Sequence, residues 1–204
     1  MKEFYNKVLE MKDIEPHNSK KISRVCQDIF RYLASKKIKD LKNFKLIFSA
    51  HGLPEKNIKK GDPYQWQVEQ SVKKIVENLN IENLDWILSY QSRVGPLKWI
   101  GPSTEDIIIK NSKFGKHIVL VPIAFVSEHS ETLVELDIEY KEIADANGCK
   151  NYTRVPALGT NEDFIKAMSE LIIKKNEYKF SENLYPPKIQ CPSNFKKCPC
   201  LNYE

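Results

Sequence analysis

Short apolar runs recur through the middle of this chain at intervals that each leave room for one helix. That rhythm constrains the fold more than any other feature. The runs are Phe44 to Ala50, Asp85 to Gln91, His117 to Phe125 and Tyr152 to Ala157. Each is rich in Ile, Leu, Val or aromatics with little polar alternation, as in strands buried on both faces. Between and after them lie stretches with helical periodicity, roughly 64–80, 103–113, 128–147 and 161–176. Strand, helix, strand at this spacing predicts an α/β fold, a parallel sheet flanked by helices on both faces in three layers. A further helix is expected over Ser19 to Ala34, where Ile22, Val25, Ile29 and Leu33 recur at helical spacing. The expected organisation is an N-terminal helical segment over 1–43, an α/β domain over 44–176 and a Cys- and Pro-containing tail over 177–204.

Composition narrows the function classes. The net charge is +5, but the lysines are scattered and no nucleic-acid-binding motif accompanies them. Solvated surface is the plainer reading, and no nucleic-acid partner is expected. The opening MKEFYNKVLEMKD lacks the apolar core of a signal peptide. The longest apolar stretch, Ile118 to Val126, is far too short to span a bilayer. A cytoplasmic protein is expected, with peripheral contact at the inner membrane face left open. Cys26 and Cys149 are isolated, while Cys191, Cys198 and Cys200 crowd the C-terminus. In a cytosolic chain that is no disulfide framework.

Ligands of open parallel sheets bind beyond the carboxyl ends of the strands, so the strand exits carry the functional argument. The first exit, SAHGLP, places His51 just past a buried strand, where Gly52 and Pro54 are expected to keep the chain out of a helix. Alone, a loop histidine is unspecific. The third exit carries glutamates. At about 100° per residue, Glu128, Glu131, Glu135, Glu139 and Glu142 share an arc of roughly 80°, opposite Leu133, Leu136, Tyr140, Ile143 and Ala144. Glu131, Glu135 and Glu139 are successive like-charge i,i+4 neighbours, which repel. A row kept despite that can carry a cation or relay protons, although a plain acidic face stays open. The second exit, QSRVGPLKWIGPSTED, holds Trp99 between two Gly-Pro steps. It reads either as a plug for the core or as a wall for a flat apolar ligand. There is no Walker loop, no GxGxxG and no nucleophile elbow, which leaves metal and proton chemistry.

SAHGLP, the GDPY of residues 61–64, QSRVGPLKWIGP and VPIAFVSEHSETLVELDIEY, in this order and spacing, resemble ferrochelatase. That family inserts ferrous iron into a porphyrin to make haem. The resemblance runs from about Phe44 to about Ile173 and implies one of the family's two similar α/β halves. It implies that His51 and Glu131 are catalytic and handle the metal and the pyrrole protons. It implies Glu135 and Glu139 as a further acidic line for the metal, and Trp99, Phe125, Leu53 and Pro54 as neighbours of the porphyrin, expected to be protoporphyrin IX. Fe(II) would be a substrate. An imidazole and a carboxylate suit proton acceptance and transient ligation, and bending the macrocycle would expose its nitrogen lone pairs.

The chain departs from the family pattern in holding only about forty residues before SAHGLP. The expectation is a truncated chain that pairs with a separate first half or with itself, or else a fragment that binds metal or tetrapyrrole without turnover. A chelatase for another tetrapyrrole or metal is a further alternative. Some family members carry an iron–sulfur cluster on C-terminal cysteines. Here Cys191, Cys198 and Cys200 form an incomplete set, and no cluster is expected.

Overall fold

The computed structural model describes residues 43–177 and 191–198. The predicted helix over Ser19 to Ala34, together with Cys26 and Cys200, lies outside the described residues. Four strands form one sheet in the order β2-β1-β3-β4. They are β1 Phe44–His51, β2 Trp86–Gln91, β3 His117–Pro122 and β4 Asn151–Arg154. All three pairings are parallel, with Ile47 beside Ile87 on one side and beside Leu120 on the other. β1 is therefore saturated on both edges, which suits its continuous apolar run.

Alternate residues of β1 and β3 feed two cores. Leu46, Phe48, Ala50, Val119 and Val121 pack with α2, Tyr64–Leu79, which buries Val68, Val72, Ile75 and Leu79. Ile47, Ile118 and Leu120 pack on the other face with Ile108 of α3, Thr104–Lys113, and with Leu136, Tyr140 and Ala144. The predicted helix–sheet–helix sandwich is present. α2 stops where Asn80 turns left-handed at φ 46°, as C-terminal asparagines commonly do. α3 starts at Ser103, whose hydroxyl accepts the Asp106 N–H, with acids in its first turn and lysines in its last. α5, Glu162–Glu177, follows β4.

Several expectations need correcting. β3 ends at Pro122 rather than Phe125, with one further backbone bond to β1, from Ile123 N–H to Ser49 O at 2.9 Å. β4 ends at Arg154 rather than Ala157, three residues before the expected end and two before Pro156. Gly52 to Pro54 are non-helical as expected, but a one-turn helix that was not expected, α1, Glu55–Lys59, begins directly after Pro54. The largest departure is the predicted α-helix over 128–147. Glu131–Glu139 is a π-helix, and only Tyr140–Ala146 (α4) is α-helical.

The expected tail contributes to the core. Residues 191–198 lie against the turn before α2, with Lys197 N–H on Gly61 O at 3.1 Å and the Phe195 ring 6.0 Å from Trp66. Cys191 and Cys198 are buried, and Gln67 donates to Cys191 Sγ. Gly61 sits at φ +92°, and a Cβ there would lie 2.9 Å from Lys196 N. Gly61→Ala is therefore strained twice, by conformation and by contact. We expect it to lower stability by about 1–3 kcal/mol and to speed proteolysis within 191–198. Urea unfolding and limited proteolysis check this, and an unchanged midpoint would mean that the segment does not rest on Gly61.

Candidate functional site

The chain leaves β1 in one direction to form β2, then crosses back over β1 to form β3. Between β1 and β3 the connections diverge, and a crevice opens at the carboxyl edge. His51 ends β1 on one side of that crevice. The segment after β3, ending in the π-helix, forms the other side. There His51 Nε2 and Glu131 Oε1 stand 3.5 Å apart, each side chain about 40% open to solvent. Two residues eighty positions apart in sequence thus meet where the topology places a ligand.

The imidazole is oriented by its own backbone. Nδ1 lies 2.8 Å from Gly52 O. A carbonyl only accepts, so Nδ1 carries a hydrogen and the neutral ring presents its lone pair at Nε2. That lone pair faces the Glu131 carboxylate, another acceptor. The pair is complete only with a proton or a cation between the two atoms. Tyr64 Oη donates to His51 O at 2.9 Å and fixes the strand end. Burial, then the Asp62 charge, pushes the Tyr64 phenol up to about 12, so it stays a donor. Gly52 N–H bonds Gln91 O at 2.8 Å, and a Cβ on Gly52 would lie 2.9 Å from that oxygen. Glycine here lets the edges of β1 and β2 close beneath the histidine.

The π-helix sets the acidic row. Its wider turn buries residues four apart, Thr132 and Leu136, and the row continues into Tyr140 and Ala144 of α4. Leu133, expected in the core, is 48% exposed. Thr132 takes a core place because its hydroxyl accepts the His129 N–H and donates to His129 O. The five glutamates do not share one face. Glu128 precedes the helix and accepts from Arg154 Nη1–H and Ala157 N–H, both at 2.8 Å. Glu139 is exposed and Glu135 half-buried. Glu135 accepts from Ser92 N–H, Ser92 Oγ–H, Tyr140 Oη–H and Gln91 Nε2–H at 2.8, 2.6, 2.8 and 3.3 Å. Among the described residues no group of three or more His, Cys, Asp or Glu side chains is placed to hold a metal ion.

Trp99 packs over Gly52, its ring within 3.3 Å of where a Cβ would stand, and its backbone bridges Pro54. Leu53 O accepts from Ile100 N–H, and Leu53 packs against the first core. Phe125 is 7% exposed, with its ring 5.1 Å from that of His129. Sequence reasoning passed over Arg154. Its guanidinium is 8% exposed and forks onto both oxygens of Asp137 at 2.7 and 2.6 Å, tying β4 to the π-helix. A lone arginine at a strand end gives no sequence signal. Tyr64 and Gln91 stand inside the GDPY and QSRVGPLKWIGP motifs, but nothing in the motifs gave either a role of its own.

Comparison with known proteins bears on this edge. The profile of the family described as Ferrochelatase matches residues 6–176. A ferrochelatase of Pelagibacter ubique is 98% identical over 169 residues, which are 83% of this chain and 49% of that protein. A Rickettsia felis ferrochelatase is 52% identical over 164 residues, 79% of this chain and 47% of the relative. One from Rickettsia prowazekii is 51% identical over 161 residues, 78% and 47% respectively. The chain spans about half the length of the curated relatives it matches.

The Arg154 fork gives a prediction with a pH signature. Burial raises the Glu128 pKa, but the hydrogen bonds and charge of Arg154 outweigh it and hold the group below its usual 4.5. A depressed carboxylate contributes stability that is full above its unfolded-state value and lost as pH falls through the folded one. Arg154→Met should cost about 2–4 kcal/mol at pH 7, less than a fully buried pair because the carboxylates are partly wet. The difference from the parent should shrink as pH drops below 4.5. Chemical unfolding from pH 7 to pH 3 measures it, and a gap that stays constant would remove the electrostatic account.

Proposed function

The chain belongs to the ferrochelatase family, and from that premise we propose that it carries the metal- and proton-handling half of an enzyme that inserts Fe(II) into protoporphyrin IX. The observation that carries this reading is the His51–Glu131 pair at the switch point, with the imidazole's free lone pair turned toward the carboxylate. The reaction breaks two pyrrole N–H bonds and forms four iron–nitrogen bonds. Two protons leave and the iron keeps its oxidation state. His51 Nε2 receives one proton from the macrocycle, its Nδ1 hydrogen being held on Gly52 O. Glu131 stabilises the imidazolium that results, passes protons toward solvent and offers an oxygen to the entering cation. Glu139, exposed farther along the same helix, feeds the cation inward. Trp99, braced on Gly52, and Leu53 and Pro54 beside it give the porphyrin a rigid wall. Phe125 supports that wall from within.

The rest of the cleft comes from the part of the family's length that this chain does not span, or from a second copy of this chain. The enzyme works in the cytoplasm in peripheral contact with the inner membrane face, where an apolar porphyrin partitions. No helix of the described residues is long and apolar enough to cross a membrane. A second reading is binding of metal or tetrapyrrole without turnover, which the chain's covering only about half the length of its curated relatives keeps in view.

The test mixes the chain with porphyrin and Zn(II), a surrogate for Fe(II), and follows loss of free-base fluorescence, with the first half of a relative supplied in trans. His51→Ala and Glu131→Gln should each slow metallation by about 10²- to 10⁴-fold. Full turnover in either variant overturns the roles. Porphyrin binding with no turnover in any assembly establishes the second reading.

A further inference from the structure

Glu135 stands in the row with Glu131 and Glu139, yet its surroundings set it apart. An ionised carboxylate offers about four lone-pair positions, and four donors fill those of Glu135. Oε1 accepts from Ser92 N–H and Tyr140 Oη–H, while Oε2 accepts from Ser92 Oγ–H and Gln91 Nε2–H. The first donor is backbone and cannot turn away. Tyr140 stays a donor, since burial and then the Glu135 charge push its phenol far above the usual tyrosine range.

The Gln91 donor is fixed by a buried chain behind it. Its amide must turn NH₂ toward the carboxylate, so its Oε1 must accept, and Ser49 Oγ–H donates there at 2.6 Å. With its one proton so used, Ser49 accepts from Thr104 Oγ1–H at 2.9 Å. Ser89 Oγ closes the chain, its one proton shared between Thr104 Oγ1 at 2.9 Å and Phe48 O at 3.3 Å. Ser49, Ser89 and Thr104 are 0% exposed and Gln91 is 1% exposed. Bonds aligned in this way polarise one another, and a buried chain of them resists rearrangement.

We propose that Glu135 is a positioning residue and not a metal ligand: it anchors the π-helix to the end of β2, through Ser92 and the Gln91–Ser49–Thr104–Ser89 chain, and so aims Glu131 at His51. The assignment rests on the reading in which Glu131 acts on the metal. A cation that took Glu135 as ligand would orphan at least one of its donors. Glu131 precedes the anchor by about one wide turn, so pinning Glu135 fixes the rotation that brings Glu131 to the histidine.

Zn(II) affinity of the full chain, without porphyrin, tests the two roles by sign. Ser92→Ala removes one competing donor. It should weaken Zn(II) binding about 10-fold if Glu135 is an anchor, whereas tighter binding would mark Glu135 as a ligand and overturn the proposal. In a double-mutant cycle, Glu135→Gln should weaken binding about 10-fold in the parent and have no further effect in Glu131→Gln. Independent, additive losses would also overturn it. Amide hydrogen exchange over 131–140 is read in the same variants. It should speed about 10-fold in Glu135→Gln, and unchanged exchange overturns the anchor. If the parent binds no Zn(II), or Glu131→Gln binds it equally well, the metal reading fails, and the exchange result still decides whether Glu135 anchors the helix.

Discussion

The site depends on β1 being paired in parallel on both of its edges. Parallel pairing sends every strand exit to one side of the sheet, and a strand with neighbours on both sides can carry a crossover on each. Among the described residues, β1 and β3 occupy that central position. The register, with His51 beside Gln91 and Ser49 beside Pro122, then fixes which residues stand at the rim. The histidine, the carboxylate anchor and the glycine beneath them follow from those two ladders. Nothing local to SAHGLP would bring a glutamate from after the third strand within reach.

The sheet was legible because buried parallel strands write themselves as unbroken apolar runs. The two cores follow from simple alternation along Leu46, Ile47 and Phe48. Strand ends were less legible, because a run such as IVLVPIAFV stays apolar beyond Pro122, where the strand stops. The acidic helix was legible as a helix but not as a π-helix. Reading Leu133 at the ordinary turn angle puts it in the core, whereas the wider turn gives that place to Thr132, whose hydroxyl is satisfied by His129. A polar residue paired within its own turn can be buried at little cost, and no hydropathy pattern marks it.

The candidate site was half legible. His51 and Glu131 stood out as strand-exit residues, and the structure brings them together. What the sequence hid was the division of labour among the glutamates. Glu128 is held by Arg154, Glu135 by Ser92, Tyr140 and Gln91, and Glu139 stands in solvent. Spacing alone gives them equal standing. Partners supplied by β2 and β4, distant in the chain, separate them. Ser49, Ser89 and Gln91 likewise read as blemishes in apolar strands until Thr104 joins the first two from the neighbouring helix.

The same central strand has a consequence for how the chain is made. Of the four described strands β1 is synthesised first, gains β2 as a neighbour next, and waits for β3 until His117–Pro122 has left the ribosome. Throughout that interval its other edge is a row of unpaired amides and carbonyls in a strongly apolar segment, the kind of template on which nascent chains pair wrongly with one another. The two-sided pairing that assembles the rim therefore creates a window of vulnerability during translation. It closes only when the crossover has carried β3 back across the sheet.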